Sequence, residues 1–292
     1  MGHINSILNV ACLLLWLGWR DLVVGSLLAN TTTPLVRTIR RAGDSRLERQ
    51  KYLLVLAGIL FGRAIAYWWL GPAVNWTPRL DLIAVVLHFR SELFLQTCLF
   101  SGLSFASLLA LFYLSLLLLS LLHRDSEIGL VQKFVRLQLG RVGRWPGFVR
   151  FLLPVLGAVA VWLLLNPLLR WQEILPRGVG FALLVKQGLL LGWAAMLAWK
   201  YGLAALLGLH FLGSYVYLGA NPIWEYVEVA GRRLLTPLRR LPLKVGRVDF
   251  APVVALVALF LCASLLENGL HVHWLFIRFD LAGLTEIYRW NS

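Results

Sequence analysis

Arg63 is the ionisable residue whose position most needs a chemical reason. It lies inside the apolar run Tyr52–Leu70. A guanidinium at membrane depth is costly, and such groups usually pair, relay or line a pathway. Asp21, Glu92 and Glu267 are the carboxylates proposed to meet it. Lys200 and Glu267 also interrupt apolar runs, but near run ends, where a long side chain reaches the interface by snorkelling. The histidines His3, His88, His123, His210, His271 and His273 are scattered. Only His210 lies deep in an apolar run, so a haem ligated across spans would lack its second ligand. His271-Val-His273 has no neighbouring cysteine or carboxylate cluster to complete a metal site. Cys12, Cys98 and Cys262 all sit in apolar runs without metal or disulfide spacing, and read as small buried hydrophobes. No Ser-His-Asp order, catalytic carboxylate pair or glycine-rich phosphate loop occurs. These residues predict a non-enzymatic protein with no cofactor and no metal.

A second set of residues gathers between two apolar helices, over Gly213–Leu266. Asn221-Pro222, Trp224, Thr236-Pro237, Arg239-Arg240, Pro242, Gly246, Asp249 and Pro252 form a polar hairpin and its exit. Asn and Thr before Pro start turns. Asp249 can cap a helix beginning at Phe250, and Pro252 suits a first helical turn, where its missing N–H is no loss. Arg239-Arg240 would face phosphates of a leaflet. The same residues could alternatively dock a partner or coordinate an ion.

Composition dictates what positions these residues. The chain has 292 residues, of which 59% are hydrophobic and 14% charged, and its mean hydropathy is +0.74. Soluble domains sit nearer 45–50% apolar and about 25% charged. The bilayer is therefore the expected solvent. The net charge of +14 comes from 28 Lys and Arg against 14 Asp and Glu. The cations gather in short connections, so membrane topology explains them and no nucleic-acid partner is expected. Anionic phospholipid headgroups are expected neighbours of such loops.

In chain order, apolar runs mark six spans. The first covers Ile4–Leu28, with a break expected at Arg20-Asp21. The second is Tyr52–Leu70. Leu80–His88 is too short to cross and reads as interfacial or re-entrant. Leu93–Leu122 is the third span and Phe151–Leu169 the fourth. Within Val179–Ala220 the first part reads as interfacial and Gly188–Leu218 as the fifth span. Phe250–Asn268 is the sixth, and the tail to Ser292 is mixed. Val131–Val142 has the spacing of an interfacial helix. The connections after spans one, three and five carry six Lys or Arg each, while the alternate connections carry two and three. That alternation places the basic connections in the cytoplasm and both termini outside.

Several landmarks recur 98 residues apart: Pro78-Arg79 with Pro176-Arg177, Arg141 with Arg239, and Pro154 with Pro252. The order interfacial piece, long span, basic hairpin and Pro-initiated span therefore reads as two units in the same orientation. The expected fold class is an all-α integral membrane protein. It comprises an N-terminal hairpin (residues 1–75), two parallel helical-hairpin repeats (76–174 and 175–272) and a tail (273–292).

Residues 213–266 resemble the YggT family of small bacterial and plastid membrane proteins, which includes the YlmG proteins. Asn221-Pro222-Ile223-Trp224 matches the family's Asn-Pro-hydrophobic-aromatic start. Leu235-Thr236-Pro237-Leu238-Arg239-Arg240-Leu241-Pro242 resembles a contracted form of its Pro- and Arg-rich turn. Gly246 to Pro252 resembles its Gly-x-Asp-x-Ser-Pro element, with Ala251 where the family often has Ser. Residues 98–169 resemble a degenerate first copy that keeps Pro154 but lacks the Asn-Pro and the Asp. The resemblance implies a bacterial inner-membrane protein that organises the envelope or assists assembly of a membrane partner, or forms a homo-oligomer. A channel or transporter for cation or osmotic homeostasis is the alternative it leaves open, and a membrane cytochrome assembly factor is a second.

Overall fold

The computed structural model describes residues 2–29, 44–82, 85–122, 130–175, 180–216, 222–236, 238, 244–245, 248–274 and 277–282. It divides into two compact units, Met1–Leu82 with Val86–Phe112, and Ile83–Val85 with Tyr113–Ser292. The protein is membrane-embedded and mostly helical. Among the described residues, four helical stretches are long and apolar enough to cross a bilayer: Gln50–Ala73, Phe94–Leu122, Gly147–Trp171 and Phe181–Ser214, with a shorter apolar helix at Ala251–Glu267. Their outward faces are apolar, with Trp69 77% and Leu164 76% exposed. Apolar surface on that scale needs lipid or protein against it.

In the first unit, α1 (Gly2–Ala29) runs without interruption through Arg20-Asp21, where a break was expected. Neither residue breaks a helix by itself, and the flanking Leu, Val and Trp residues sustain it. Helix α2 (Asp44–Ala73) begins well before the apolar run, carrying its polar first turns on the same cylinder. Within residues 80–88, expected to lie at the interface or re-enter, β1 (Arg79–Asp81) pairs antiparallel with β2 (Val86–His88). The period is two: Leu80 and Leu87 face each other and are buried, while Arg79, Asp81, Val86 and His88 are exposed. That alternation belongs to a half-buried strand pair. The hairpin closes with Phe89 N–H donating to the Pro78 carbonyl at 2.9 Å. Phe89 and Trp76 then pack edge-on against Phe100, with centroids 5.6 and 5.7 Å away.

Helix α3 (Phe94–Leu122) contains the boundary between the units. At 29 residues it is about 43 Å long. The second unit continues with α4 (Leu130–Leu139), a 3-10 turn at Gly140–Arg144, α5 (Gly147–Trp171), α6 (Phe181–Leu197) and α7 (Trp199–Tyr215). Then come α8 (Pro222–Leu234), a short pairing of β3 (Lys244–Val245) with β4 (Val248–Asp249), and α9 (Ala251–Asn268). After α9, β5 (Gly269–Trp274) pairs antiparallel with β6 (Ile277–Ala282).

Two expectations change in this unit. The apolar stretch expected to begin as an interfacial piece and cross from Gly188 is helical from Phe181. Ala198 separates α6 from α7 as a single turn residue and keeps helical angles of φ −60° and ψ −22°. Pro154 does not open a span as Pro252 does. Helix α5 starts at Gly147, so Pro154 lies inside it, whereas Pro252 is the second residue of α9. A shared offset in sequence thus leads to different positions in the two helices.

Helix α6 meets α5 at Gly188 and Gly192, one turn apart. A Cβ on Gly188 would lie 2.9 Å from Val159 Cα, and one on Gly192 would lie 2.6 Å from Val155 Cα. Small residues spaced by four allow this backbone approach in apolar surroundings. Trp162 Nε1 donates to Gln187 Oε1 at 3.3 Å in the same seam. Gly192→Leu should therefore overpack the seam, cost about 1–3 kcal/mol and lower the melting temperature of the detergent-solubilised protein. Gly157→Ala, with nothing within 4 Å of the new Cβ, should leave the melting temperature unchanged or raise it.

Candidate functional site

The last carbonyls of a helix have no intrahelical donor, and they carry the negative end of its dipole. At the end of α3 three side chains supply donors. Tyr226 Oη donates to the Leu119 carbonyl at 3.1 Å. Arg150 Nη1 donates to the Ser120 carbonyl at 3.0 Å and to its hydroxyl at 2.5 Å. Arg233 Nη1 donates to the Leu122 carbonyl at 3.1 Å. Arg150 comes from the first turn of α5, and the other two come from α8.

Helix α8 exists because Pro222 suits a first helical position and an apolar stripe follows it. Tyr226, Val227 and Ala230 are buried with Leu206 of α7, against Leu119, Leu122, Val131, Leu209, Trp224 and Leu234. Glu225, Glu228 and Arg232 are exposed. Gly231 permits a close crossing, since a Cβ there would lie 2.3 Å from His210 Cγ. Helix α4 is amphipathic in the same way: Val135, Gln138 and Leu139 are buried, and Lys133 and Arg136 are exposed. Two basic connections, one after α3 and one after α7, thus meet as a pair of packed amphipathic helices. Their charges are used differently. Arg232 pairs with Glu228, and Arg233 is committed to Leu122. Lys133, Arg136, Arg141 and Arg144 are exposed, with no ion pair among the described residues.

The motif residues singled out in the sequence are only partly brought to this place. Asn221, Pro237, Arg239, Arg240, Pro242 and Gly246 lie outside the described residues. Pro222 begins α8, and Trp224 packs on the α4–α8 core. Thr236 Oγ1 donates to the Arg232 carbonyl at 3.1 Å, closing the end of α8. Asp249 is paired through its backbone with Lys244. Helix α9 starts at Ala251, one residue later than expected, with Val254 N–H bonded to the Phe250 carbonyl at 3.0 Å. Pro252 is buried.

Arg63 lies elsewhere, in the first unit, and is 4% exposed. It does not pair with a carboxylate among the described side chains. Glu92 is exposed, Glu267 is bonded to Lys200 at 2.5 Å, and the side chain of Asp21 lies outside those described. The partners of Arg63 are neutral. Its Nη1 donates to Asn5 Oδ1 at 3.0 Å and to Asn9 Oδ1 at 2.5 Å. Its Nε donates to Ser101 Oγ at 3.0 Å, and its Nη2 donates to the Ser101 carbonyl. The asparagine amides pass the network on to Ser104 Oγ, each at 2.9 Å. The cluster therefore ties α1, α2 and α3 together through one guanidinium. A charge at a span centre costs about 2.5–3.5 kcal/mol on insertion scales, and charge-assisted bonds to oxygen are what offset it.

Several of these residues escaped the reading of the sequence, although signals were present. Asn5 and Asn9 are one turn apart, Ser101 and Ser104 are three apart, and each pair punctuates an apolar run. Within the segment taken for a polar hairpin, Val227, Ala230 and Leu234 already carry helical spacing.

No protein-family model, curated protein or solved structure matches the chain.

Asn9→Leu leaves Arg63 buried with one acceptor fewer, and should cost about 1.5–3 kcal/mol in denaturation of the detergent-solubilised protein. Arg63→Lys should also destabilise it, because an ammonium cannot span both asparagines and Ser101. Tyr226 gives a pH signature. Burial pushes its phenol up to about 12, against the opposing pull of Arg233. The ordinary value is 10.0, so the folded state holds the proton more tightly than the unfolded chain. Its stabilisation is complete below pH 10 and is lost between there and about pH 12. Tyr226→Phe should remove a step near pH 12 from the ultraviolet phenolate curve and cost about 1 kcal/mol at neutral pH.

Proposed function

We propose that this chain is a multi-pass protein of a bacterial inner membrane, of the YggT type, that works without catalysis. Its spans are α1, α2, α3, α5, the α6–α7 stretch and α9, and its basic connections face the cytoplasm. There α4, the turn after it and α8 form a platform that docks a membrane-protein partner, organising the envelope or assisting that partner's assembly. The YggT-type reading rests on the motifs over residues 221–252.

One observation carries the proposal. Two connections far apart in sequence pack together at the end of α3, bury their apolar faces and leave Lys133, Arg136, Arg141 and Arg144 exposed, with no acidic partner among the described residues. Such a surface favours an acidic protein face or an anionic leaflet. The positive-inside count likewise puts both connections on one side of the membrane. A cation channel gains less support, because its buried polar cluster centres on Arg63, whose described partners are all neutral.

Photo-crosslinking in native membranes tests the reading. A crosslinker at Arg136 should recover one reproducible membrane protein, and the same group at Leu164 on the apolar face of α5 should recover lipid. Equal recovery of that protein at both positions would sink the platform. So would cation flux in proteoliposomes that Arg63→Ala abolishes.

A further inference from the structure

We infer that the turn joining α4 to α5 seats the headgroup of an anionic phospholipid, whose acyl chains lie along the outer face of α5. The inference rests on α5 crossing the bilayer, as proposed above, and assigns that platform a specific ligand. The sequence points to Arg239-Arg240 for phosphate contact, and these lie outside the described residues; among the described residues the arginines so placed are Arg141 and Arg144.

Four observations converge on this turn. Arg141 and Arg144 are three residues apart in a 3-10 turn, where side chains at that spacing eclipse. Both are exposed, so two guanidinium groups share one side of the turn. The turn itself is well defined. Gly140 takes a left-handed φ of 56°, and Trp145 N–H donates to the Val142 carbonyl at 3.1 Å. The bond from Arg150 to Ser120 then fixes the start of α5 against α3.

Charge singles out the occupant. From Ile128 to Gln172 the chain has no Asp or Glu, so nothing in this stretch competes for the two arginines. Directly after them come Trp145, Phe148 and Phe151, all exposed. The apolar surface continues at near two-turn spacing through Leu156 and Leu164 to Trp171. Cations at one end, an aromatic collar beneath them and a long apolar face below match a phosphodiester headgroup with its acyl chains. Free phosphate would use only the first of these, and a zwitterionic lipid would offset the arginines with its own cation.

The test is native mass spectrometry of the full chain in detergent, titrated with phosphatidylglycerol, phosphatidylcholine or inorganic phosphate. Wild type should prefer phosphatidylglycerol over phosphatidylcholine by about tenfold, the order expected of two cations beside a phosphate. Arg141→Gln/Arg144→Gln should lose that preference to within about twofold. Arg232→Gln, which alters the paired arginine of α8, should keep it. Both arginines are exposed, and an unchanged circular dichroism spectrum would show that the double variant folds. A preference that survives in the double variant overturns the inference, as does equal binding of the two lipids by wild type. Displacement of phosphatidylglycerol by equimolar inorganic phosphate overturns it too, in favour of a free-phosphate site. A photoreactive acyl chain separates this failure from failure of the span itself. Crosslinks to Leu164 without headgroup discrimination sink only the lipid seat, whereas no crosslink to α5 removes the crossing on which it rests.

Discussion

The donors that close the end of α3 do several jobs at once. Carbonyls in the last turn of a helix are costly to bury unless a donor reaches them. Tyr226, Arg150 and Arg233 satisfy three of them. They also set α8 against α3 and pin the first turn of α5. Two cations at the negative end of a helix dipole add a favourable electrostatic contribution. The packed pair α4–α8, and the exposed basic surface it presents, follow from where these bonds hold α8.

The same constraint governs the first unit. Arg63 is tolerated because α1 offers two amide oxygens and α3 offers a hydroxyl and a carbonyl. No carboxylate takes part among the described side chains, so the charge is solvated by dipoles and not neutralised. Asn5 and Asn9 would themselves be costly polar groups on an otherwise apolar helix, and Arg63 is what satisfies them. Lys200 and Glu267 solve the problem differently, each offsetting the other's charge between α7 and α9. An apolar chain thus uses its few polar residues as fasteners between helices.

Much of this was legible from one dimension. The helices at Phe94–Leu122 and Ala251–Asn268 lie within a residue of the apolar runs that announced them. Val131–Val142 was readable as amphipathic, because charge and apolar spacing coincide there. The strand pair within residues 80–88 was not legible, because six apolar residues in a row, Leu82 to Leu87, mask the two-residue alternation. Segment 222–234 misled because Pro222 and its charges suggested a turn, while its buried stripe is narrow. The Pro154–Pro252 offset misled because equal spacing says nothing about where a helix begins. Helix α5 starts earlier, since Gly147 to Leu153 contains nothing that breaks a helix.

The sequence by itself determined the solvent, the class and the distribution of charge. These are sums over residues, and 59% hydrophobic content or a clustered set of cations does not depend on how the chain is folded. It also marked Arg63 as the residue needing an explanation. Only the tertiary structure decided what that explanation is, because Asn5, Asn9 and Ser101 are 58, 54 and 38 residues away along the chain. It likewise separated the arginines already committed, Arg150, Arg232 and Arg233, from Arg141 and Arg144, which stay exposed. Whether a cation is available depends on which oxygen atoms lie within hydrogen-bonding distance, and that is settled by packing.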